Sequence, residues 1–244
     1  ILEALPALVL AFFVLGYLPD RPDDVQWLTA EERHWLQNRL DAERRNRESL
    51  HSLGWKQTLL NGRVLALGLV YMGITVPLYG LGFFLPQIIK AFGGLGNVEV
   101  GFINAFPYLL GAVAMLFWSR WSDARRERKG FLLVSLACII TGLVAAALIA
   151  EPIAKMAAVS LAAVGIFSAL PVFWTLPTAV LSGSAAAAGI AWINSIGNLG
   201  GYIGPKIFGE LKDRMGTDLY AVLFLALLAV LAILLLLLLG RSEE

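Results

Sequence analysis

The residues able to do chemistry inside the apolar segments of this sequence are neutral polar and aromatic side chains. Tyr71, Thr75 and Tyr79 recur every fourth residue, and Asn194 and Asn198 do the same, so each group shares one face of a helix. Hydroxyl and amide groups on such faces can border a wet cavity and hydrogen-bond a polar solute. The competing interpretation is that the asparagines join helix to helix while the tyrosines lie at the level of the lipid headgroups.

The usual catalytic groups are missing from these segments. Both histidines, His34 and His51, lie in a polar stretch, and the single cysteine, Cys138, lies within an apolar run with no second thiol in the sequence. No glycine-rich loop precedes a Lys-Ser or Lys-Thr pair, and the middles of the last six apolar segments hold no ionisable proton relay. The sequence therefore predicts no enzyme, no cofactor and no metal site, and it places any proton-coupling residues elsewhere.

Seven apolar segments of this 244-residue chain are long enough to be membrane spans, the first being the shortest. The composition is 58% hydrophobic and 15% charged, whereas about a quarter of a soluble domain is charged. Because lipid offers backbone groups no partners, and no alternating strand pattern is present, the segments are predicted to be helices. They cover residues 4–18, 64–89, 100–118, 131–150, 156–181, 185–205 and 219–240.

One long polar stretch, residues 19–63, separates the first apolar segment from the second. Thr29 and Glu32 form a capping-box pattern that opens a predicted amphipathic helix, and Asp41 and Arg45 follow at a spacing that suits an ion pair. The stretch carries eight basic and eight acidic residues, so neither nucleic acid nor lipid headgroups are predicted to bind it. Membrane lipid is expected to surround the apolar segments instead.

Lysine and arginine set the predicted orientation. If residues 19–63 are cytoplasmic, fourteen of these residues fall on the cytoplasmic side and five on the other. The carboxyl terminus is then cytoplasmic as well. The basic cluster between Lys206 and Arg214 is the exception to this pattern.

A glycine run and a basic loop are the two remaining motifs. Gly197, Gly201 and Gly204 lie along one helical stripe, which predicts close helix packing or a helix that slides. A dinucleotide-binding loop is the alternative, but that loop follows a strand and this run lies in an apolar segment.

The loop at residues 119–129 is short and strongly basic, as expected of an anchor on the cytoplasmic side. It also has a functional interpretation as a gating element, with Asp123, Arg125 and Arg128 as its residues. Asp123 could pair with the basic residues or with a neighbouring helix N-terminus and hold one conformation closed.

Short motifs along the whole chain resemble those of one transporter family. Residues 1–7 are similar to the start of its sixth helix, although Ala4 replaces the usual glycine, and residues 18–22 and 27–33 are similar to its central loop. That family is the major facilitator superfamily, within it the anion:cation symporter branch of phthalate, tartrate and hexonate permeases.

Three later motifs extend the resemblance. Residues 79–86 are similar to the family's seventh helix, residues 122–129 to its loop between helices eight and nine, and residues 197–205 to its eleventh helix. The loop departs from the family pattern at Ala124, where arginine is usual.

The resemblance implies an all-α membrane protein. Residues 1–18 would be part of the sixth helix and residues 19–63 the cytoplasmic linker; residues 64–240 would form the C-terminal six-helix bundle, and residues 241–244 a cytoplasmic tail. Helices one to five, which hold the family's charged coupling and anion-binding residues, have no counterpart in this sequence. We therefore expect a truncated chain whose partner is the missing N-terminal bundle.

The family also implies alternating access, with substrate bound between two bundles near the midplane. Trp174 and Asn194 match family positions that contact organic anions, and Tyr71 matches a third; Tyr79 and Asn198 join them as candidates on the same faces. We expect a secondary transporter of the bacterial inner membrane that moves a small organic anion, such as a sugar acid or an aromatic or dicarboxylic acid, with a proton. The alternative is a stand-alone membrane receptor or assembly subunit without transport.

Overall fold

The computed structural model describes residues 4–19, 24–25, 27–50, 59–181 and 183–241, and within these ranges the chain forms helices and no strand. The predicted all-α class is confirmed. The helices are α1 (Ala4–Tyr17), α2 (Ala30–Leu50), α3 (Gly62–Lys90), α4 (Asn97–Arg125), α5 (Lys129–Leu148), α6 (Pro152–Val180), α7 (Gly183–Asn198), α8 (Gly200–Met215) and α9 (Leu219–Arg241).

Residues 1–52 form the first of two units and contain α1 and α2. The predicted capping box is present at the start of α2, where the backbone N–H and hydroxyl of Thr29 donate to Glu32 Oε2 at 2.9 and 2.8 Å. The amide of Glu32 donates back to Thr29 Oγ1 at 3.3 Å. The two bonds that Thr29 donates to the carboxylate, the backbone one foremost, favour its ionised form and lower the pKa of Glu32. Parts of the predicted linker and tail, residues 20–23, 26, 51–58 and 242–244, lie outside the described residues.

Five helices of the described chain are long and apolar enough to cross a membrane, over Gly62–Phe83, Asn97–Arg125, Lys129–Leu148, Pro152–Thr178 and Leu219–Leu239. The first and sixth of the seven predicted spans do not meet this criterion. Helix α1 has only 14 residues, and the sixth span is divided into α7 and α8.

Helix α3 is central to the second unit, residues 53–244, where it packs against α9, α7 and α8. The other principal contacts join α6 to α5 and α4, and α9 to α5. Small residues allow the closest approach: a Cβ added to Gly165 of α6 would lie 2.6 Å from the carbonyl oxygen of Ser135 on α5. Without a hydrophobic driving force in lipid, such close contact is what holds helices together.

The helix predicted for residues 185–205 is interrupted at one residue, Leu199, which forms a short break between α7 and α8. The backbone of Leu199 stays helical, at φ −56° and ψ −25°, and its N–H donates to the carbonyl oxygen of Ser195 at 3.2 Å. Helix α7 ends at Asn198, a turn occurs at Leu199, and α8 continues to Met215. Pro205 therefore lies inside α8 rather than at the end of a span. Proline has no backbone N–H to donate to the carbonyl four residues earlier, and glycine is flexible, so the sequence Gly200-Gly201 before Pro205 weakens the helix at this place.

Candidate functional site

Three aromatic rings meet where α3 faces α6. Tyr71 stacks on Phe173 with ring centroids 5.0 Å apart, and Trp174 meets Tyr71 edge-on at 4.9 Å. Phe173 and Trp174 are also perpendicular neighbours, at 5.4 Å. The structure thus brings together two of the predicted site residues, Tyr71 and Trp174, and adds Phe173. Phe173 is fully buried, so its sequence signal is that of any core phenylalanine.

The other three predicted binding residues form a hydrogen-bonded chain between α3 and α7. The Tyr79 hydroxyl donates to Asn198 Oδ1 at 3.1 Å. Asn198 Nδ2 donates in turn to the backbone oxygen of Asn194 at 2.9 Å and to its side-chain Oδ1 at 2.8 Å. Both asparagine side chains are exposed, whereas Tyr79 is half-buried. This is an uncharged polar surface able to bind hydrogen-bonding solutes.

Thr75 lies between the two tyrosines on the same face of α3 and is 1% exposed. Its hydroxyl donates to the backbone oxygen of Gly197 at 2.6 Å, immediately before the break between α7 and α8. A polar group in lipid needs such a partner, so this bond stabilises the end of α7 against α3. Sequence spacing placed Thr75 on the polar face, but only the fold shows that it binds the backbone.

The predicted close packing of the glycine stripe is confirmed. A Cβ added to Gly197 would lie closer than 3.0 Å to three ring carbons of Tyr71, and one added to Gly204 would lie 3.0 Å from the carbonyl oxygen of Val76. A Cβ at Gly201 would lie 3.2 Å from the nearest ring carbon of Tyr79. The absence of side chains at these positions is what lets α7 and α8 approach the polar face of α3.

Two polar side chains of α4, Asn104 and Tyr108, take no part in this hydrogen-bonded chain. Asn104 has its Oδ1 buried, with no hydrogen-bond donor to it among the described residues. Tyr108 packs edge-on against Phe167, with centroids 5.9 Å apart. Neither belongs to the hydrogen-bonded chain of Tyr79.

An ion pair joins Asp123, in the last turn of α4, to Arg128, in the connection before α5. The predicted loop at residues 119–129 is therefore helical as far as Arg125, and residues 126–128 alone connect the two helices. Arg128 also donates to the hydroxyl of the buried Ser122 at 3.2 Å, and that hydroxyl donates to the backbone oxygen of Glu127 at 2.6 Å. Arg125 instead stacks over the ring of Trp121 at 4.8 Å. A gating role for this loop stays a prediction.

Sequence comparison then connects this geometry to known proteins. The sequence profile of the Major Facilitator Superfamily matches residues 1–205. The chain belongs to the major facilitator superfamily. This is a family of membrane transport proteins rather than enzymes, in agreement with the sequence prediction.

Curated relatives extend along nearly the whole chain. An Agrobacterium vitis protein named "Putative tartrate transporter" is 44% identical over 99% of this chain and 54% of its own length. A quinolone resistance transporter of Acinetobacter baumannii is 38% identical over 92% of this chain and 52% of its own length. The inner membrane transport protein RhmT of Escherichia coli is 32% identical, with 93% and 52% covered. The chain therefore spans about half the length of these relatives.

Proposed function

We propose that this major facilitator chain supplies one side of the pathway of a secondary active transporter for a small organic anion. The observation that carries the proposal is the polar face of α3 and α7, where Tyr79, Asn198 and Asn194 form a continuous hydrogen-bonded surface. About two turns earlier on α3, the ring of Tyr71, together with that of Trp174 on α6, offers an apolar wall. Hydroxyls and carboxylates of an organic acid suit the first surface, and its carbon skeleton suits the second.

The lack of charged residues in the apolar segments supports a site to which two bundles contribute different groups. The middles of the apolar segments in this sequence hold no acidic or basic residue, so this surface does not neutralise an anion by itself. The counter-charge and the proton-coupling groups would come from the N-terminal bundle that the family architecture implies as partner. Alternating access about the shared site would then couple the anion to the proton.

The proposed location is the bacterial inner membrane, with the carboxyl terminus in the cytoplasm. The excess of Lys and Arg on the side of residues 19–63 supports that orientation. The Escherichia coli relative is named an inner membrane transport protein, which also supports this location.

Uptake into proteoliposomes tests the proposal. The protein encoded by the complete reading frame that contains this chain would be purified and reconstituted. A pH gradient would then be imposed across the vesicle membrane, with the acidic side outside. Labelled tartrate, a sugar acid, an aromatic carboxylate and a quinolone form the panel. We expect gradient-dependent uptake of at least one acid, abolished by a protonophore and strongly reduced in Asn194→Ala and Trp174→Ala.

Three outcomes would contradict parts of the proposal. Uptake unchanged in both variants would refute the site. Uptake insensitive to the protonophore would refute proton coupling. No transport of any acid in either direction would favour the alternative of a receptor or assembly subunit.

A further inference from the structure

We infer that Tyr79 and Asn198 are positioning residues that fix the side-chain amide of Asn194 with its two N–H donors facing the ligand. The inference rests on the proposed transport function and goes beyond it by assigning a polarity to the site. It gives this half of the site a preference for hydrogen-bond acceptors.

The orientation of Asn198 follows from its backbone partner. A backbone carbonyl oxygen only accepts hydrogen bonds, so the Asn198 atom 2.9 Å from the oxygen of Asn194 is the nitrogen Nδ2. The oxygen Oδ1 of Asn198 must then face Tyr79, 3.1 Å away. Since an amide oxygen cannot donate, the Tyr79 hydroxyl donates its proton to it. The direction of this bond is therefore fixed by chemistry.

The same logic fixes Asn194. The Nδ2 of Asn198 lies 2.8 Å from the side-chain oxygen of Asn194, which accepts the remaining N–H. Rotating the Asn194 amide by half a turn would set two NH₂ groups against each other and lose this bond. The oxygen of Asn194 is therefore occupied, and its Nδ2 makes no hydrogen bond within the described part of the chain. Because Asn194 is exposed, these two donors are available to a ligand.

The orientation of the Asn194 amide depends on the packing of α7 against α3. Asn194 and Asn198 are one turn apart on α7, but Tyr79 belongs to α3, 119 residues earlier than Asn198. Thr75, one turn from Tyr79, holds α7 at this distance through its bond to Gly197. A group presented to the Asn194 donors must be an acceptor, such as a carboxylate or hydroxyl oxygen, whereas an ammonium group would meet donors alone.

A double-mutant cycle on uptake tests the inference. Tyr79→Phe keeps the ring and removes the proton donated to Asn198. We expect it to raise the KM for the transported acid about three- to tenfold with little change in maximal rate, as for one neutral hydrogen bond. Asn194→Ala should raise the KM about tenfold to a hundredfold, as for a hydrogen bond to a charged group.

The decisive measurement is the double variant, because a positioning residue acts only through the group it positions. We expect Tyr79→Phe to have no further effect on KM once Asn194 is alanine. Multiplicative effects of the two substitutions would overturn the inference, and so would a Tyr79→Phe variant with unchanged KM. Tyr220→Phe, in an exposed tyrosine at the start of α9, is the matched control and should be silent.

Folding and function are controlled separately. Each variant is quantified in the membrane, and Asn194→Ser replaces Asn194→Ala if the alanine variant is not produced. If the wild-type protein takes up no acid of the panel, the proposed function and the inference are both refuted. Wild-type uptake with a multiplicative cycle would remove the inference alone.

Discussion

Replacing Gly200 with alanine should force α8 away from α3 at the helix break. A Cβ at this position would lie 2.7 Å from Thr75 Oγ1, 2.8 Å from Val76 Cγ2 and 3.2 Å from the Val76 backbone nitrogen. Ordinary van der Waals contact begins near 3.4 Å, so the nearest pair must separate by about 0.7 Å, from 3.4 minus 2.7. The backbone nitrogen can move only if the helix moves with it.

The loss of stability caused by Gly200→Ala depends on the hydrogen bond that holds Thr75 in place. Its hydroxyl donates to Gly197 at 2.6 Å, so turning the side chain away breaks that bond, while keeping it separates the helices. Inserting a methyl group into a closely packed contact costs about 1–3 kcal/mol. We expect about 2 kcal/mol lower free energy of unfolding, which for a chain of this size lowers the unfolding temperature by about 4–8 °C.

Thermal unfolding of the detergent-solubilised chain, followed by a thiol-reactive dye, measures this effect. Cys138 is the single cysteine of the sequence and half-buried in α5, so its exposure reports unfolding of the bundle. Gly209→Ala is the matched control, because a Cβ there meets no atom within 4 Å on the same helix α8. It should leave stability unchanged or slightly raised. Equal melting temperatures for Gly200→Ala and wild type would refute the packing argument, as would an equal loss in Gly209→Ala.

Three further predictions concern single polar groups. Thr75→Val should lower the free energy of unfolding by about 1–3 kcal/mol, because the buried Gly197 carbonyl loses its donor, whereas Thr75→Ser should retain most of the stability in the same melting assay. Asn104→Leu should leave stability equal or raise it, since its buried Oδ1 has no donor within the described chain; a clear loss would reveal a bond that the structure does not contain. The lowered pKa of Glu32 means that its carboxylate stabilises the first turn of α2 fully above pH 4.5 and loses this effect as the pH falls through the lowered value. The backbone N–H of Thr29 is the amide bonded to this carboxylate. Its hydrogen exchange, corrected for the intrinsic rate, should accelerate as the pH falls through that range in wild type and not in Glu32→Gln.

Hydropathy predicted the membrane helices well because every span must be apolar and long enough to cross the hydrocarbon layer. The segment at residues 131–150 corresponds to α5, Lys129–Leu148, within a few residues at each end. The break at Leu199 was missed because it is not a matter of hydropathy. The carbonyl of Gly197, two residues before Leu199, accepts a hydrogen bond from Thr75, which is 122 residues away in the sequence. Patterns within a single sequence carry no information on such a distant contact.

The site shows the same division between local and distant information. Helical spacing grouped Asn194 with Asn198, and their side chains do bond each other. The bond from Tyr79 required the packing of α3 on α7, which spacing alone does not give. At the end of α4, charge predicted a role for Arg125 beside Asp123, but the Arg125 guanidinium stacks on Trp121, one helical turn earlier on the same helix.

The distance in sequence between Thr75 and Gly197 has a consequence for biosynthesis. The two residues are 122 positions apart, and a ribosome adds about 5–20 residues per second, so α3 leaves the ribosome about 6–24 s before its glycine-rich partner. During that interval the Thr75 hydroxyl lacks the Gly197 carbonyl as its acceptor, whereas Tyr71 can already pack against Phe173 of α6, which is made before α7. Helix α3, the most central helix of the bundle, thus waits longest for its partners, because α8 and α9 must still follow α7 before its contacts are complete.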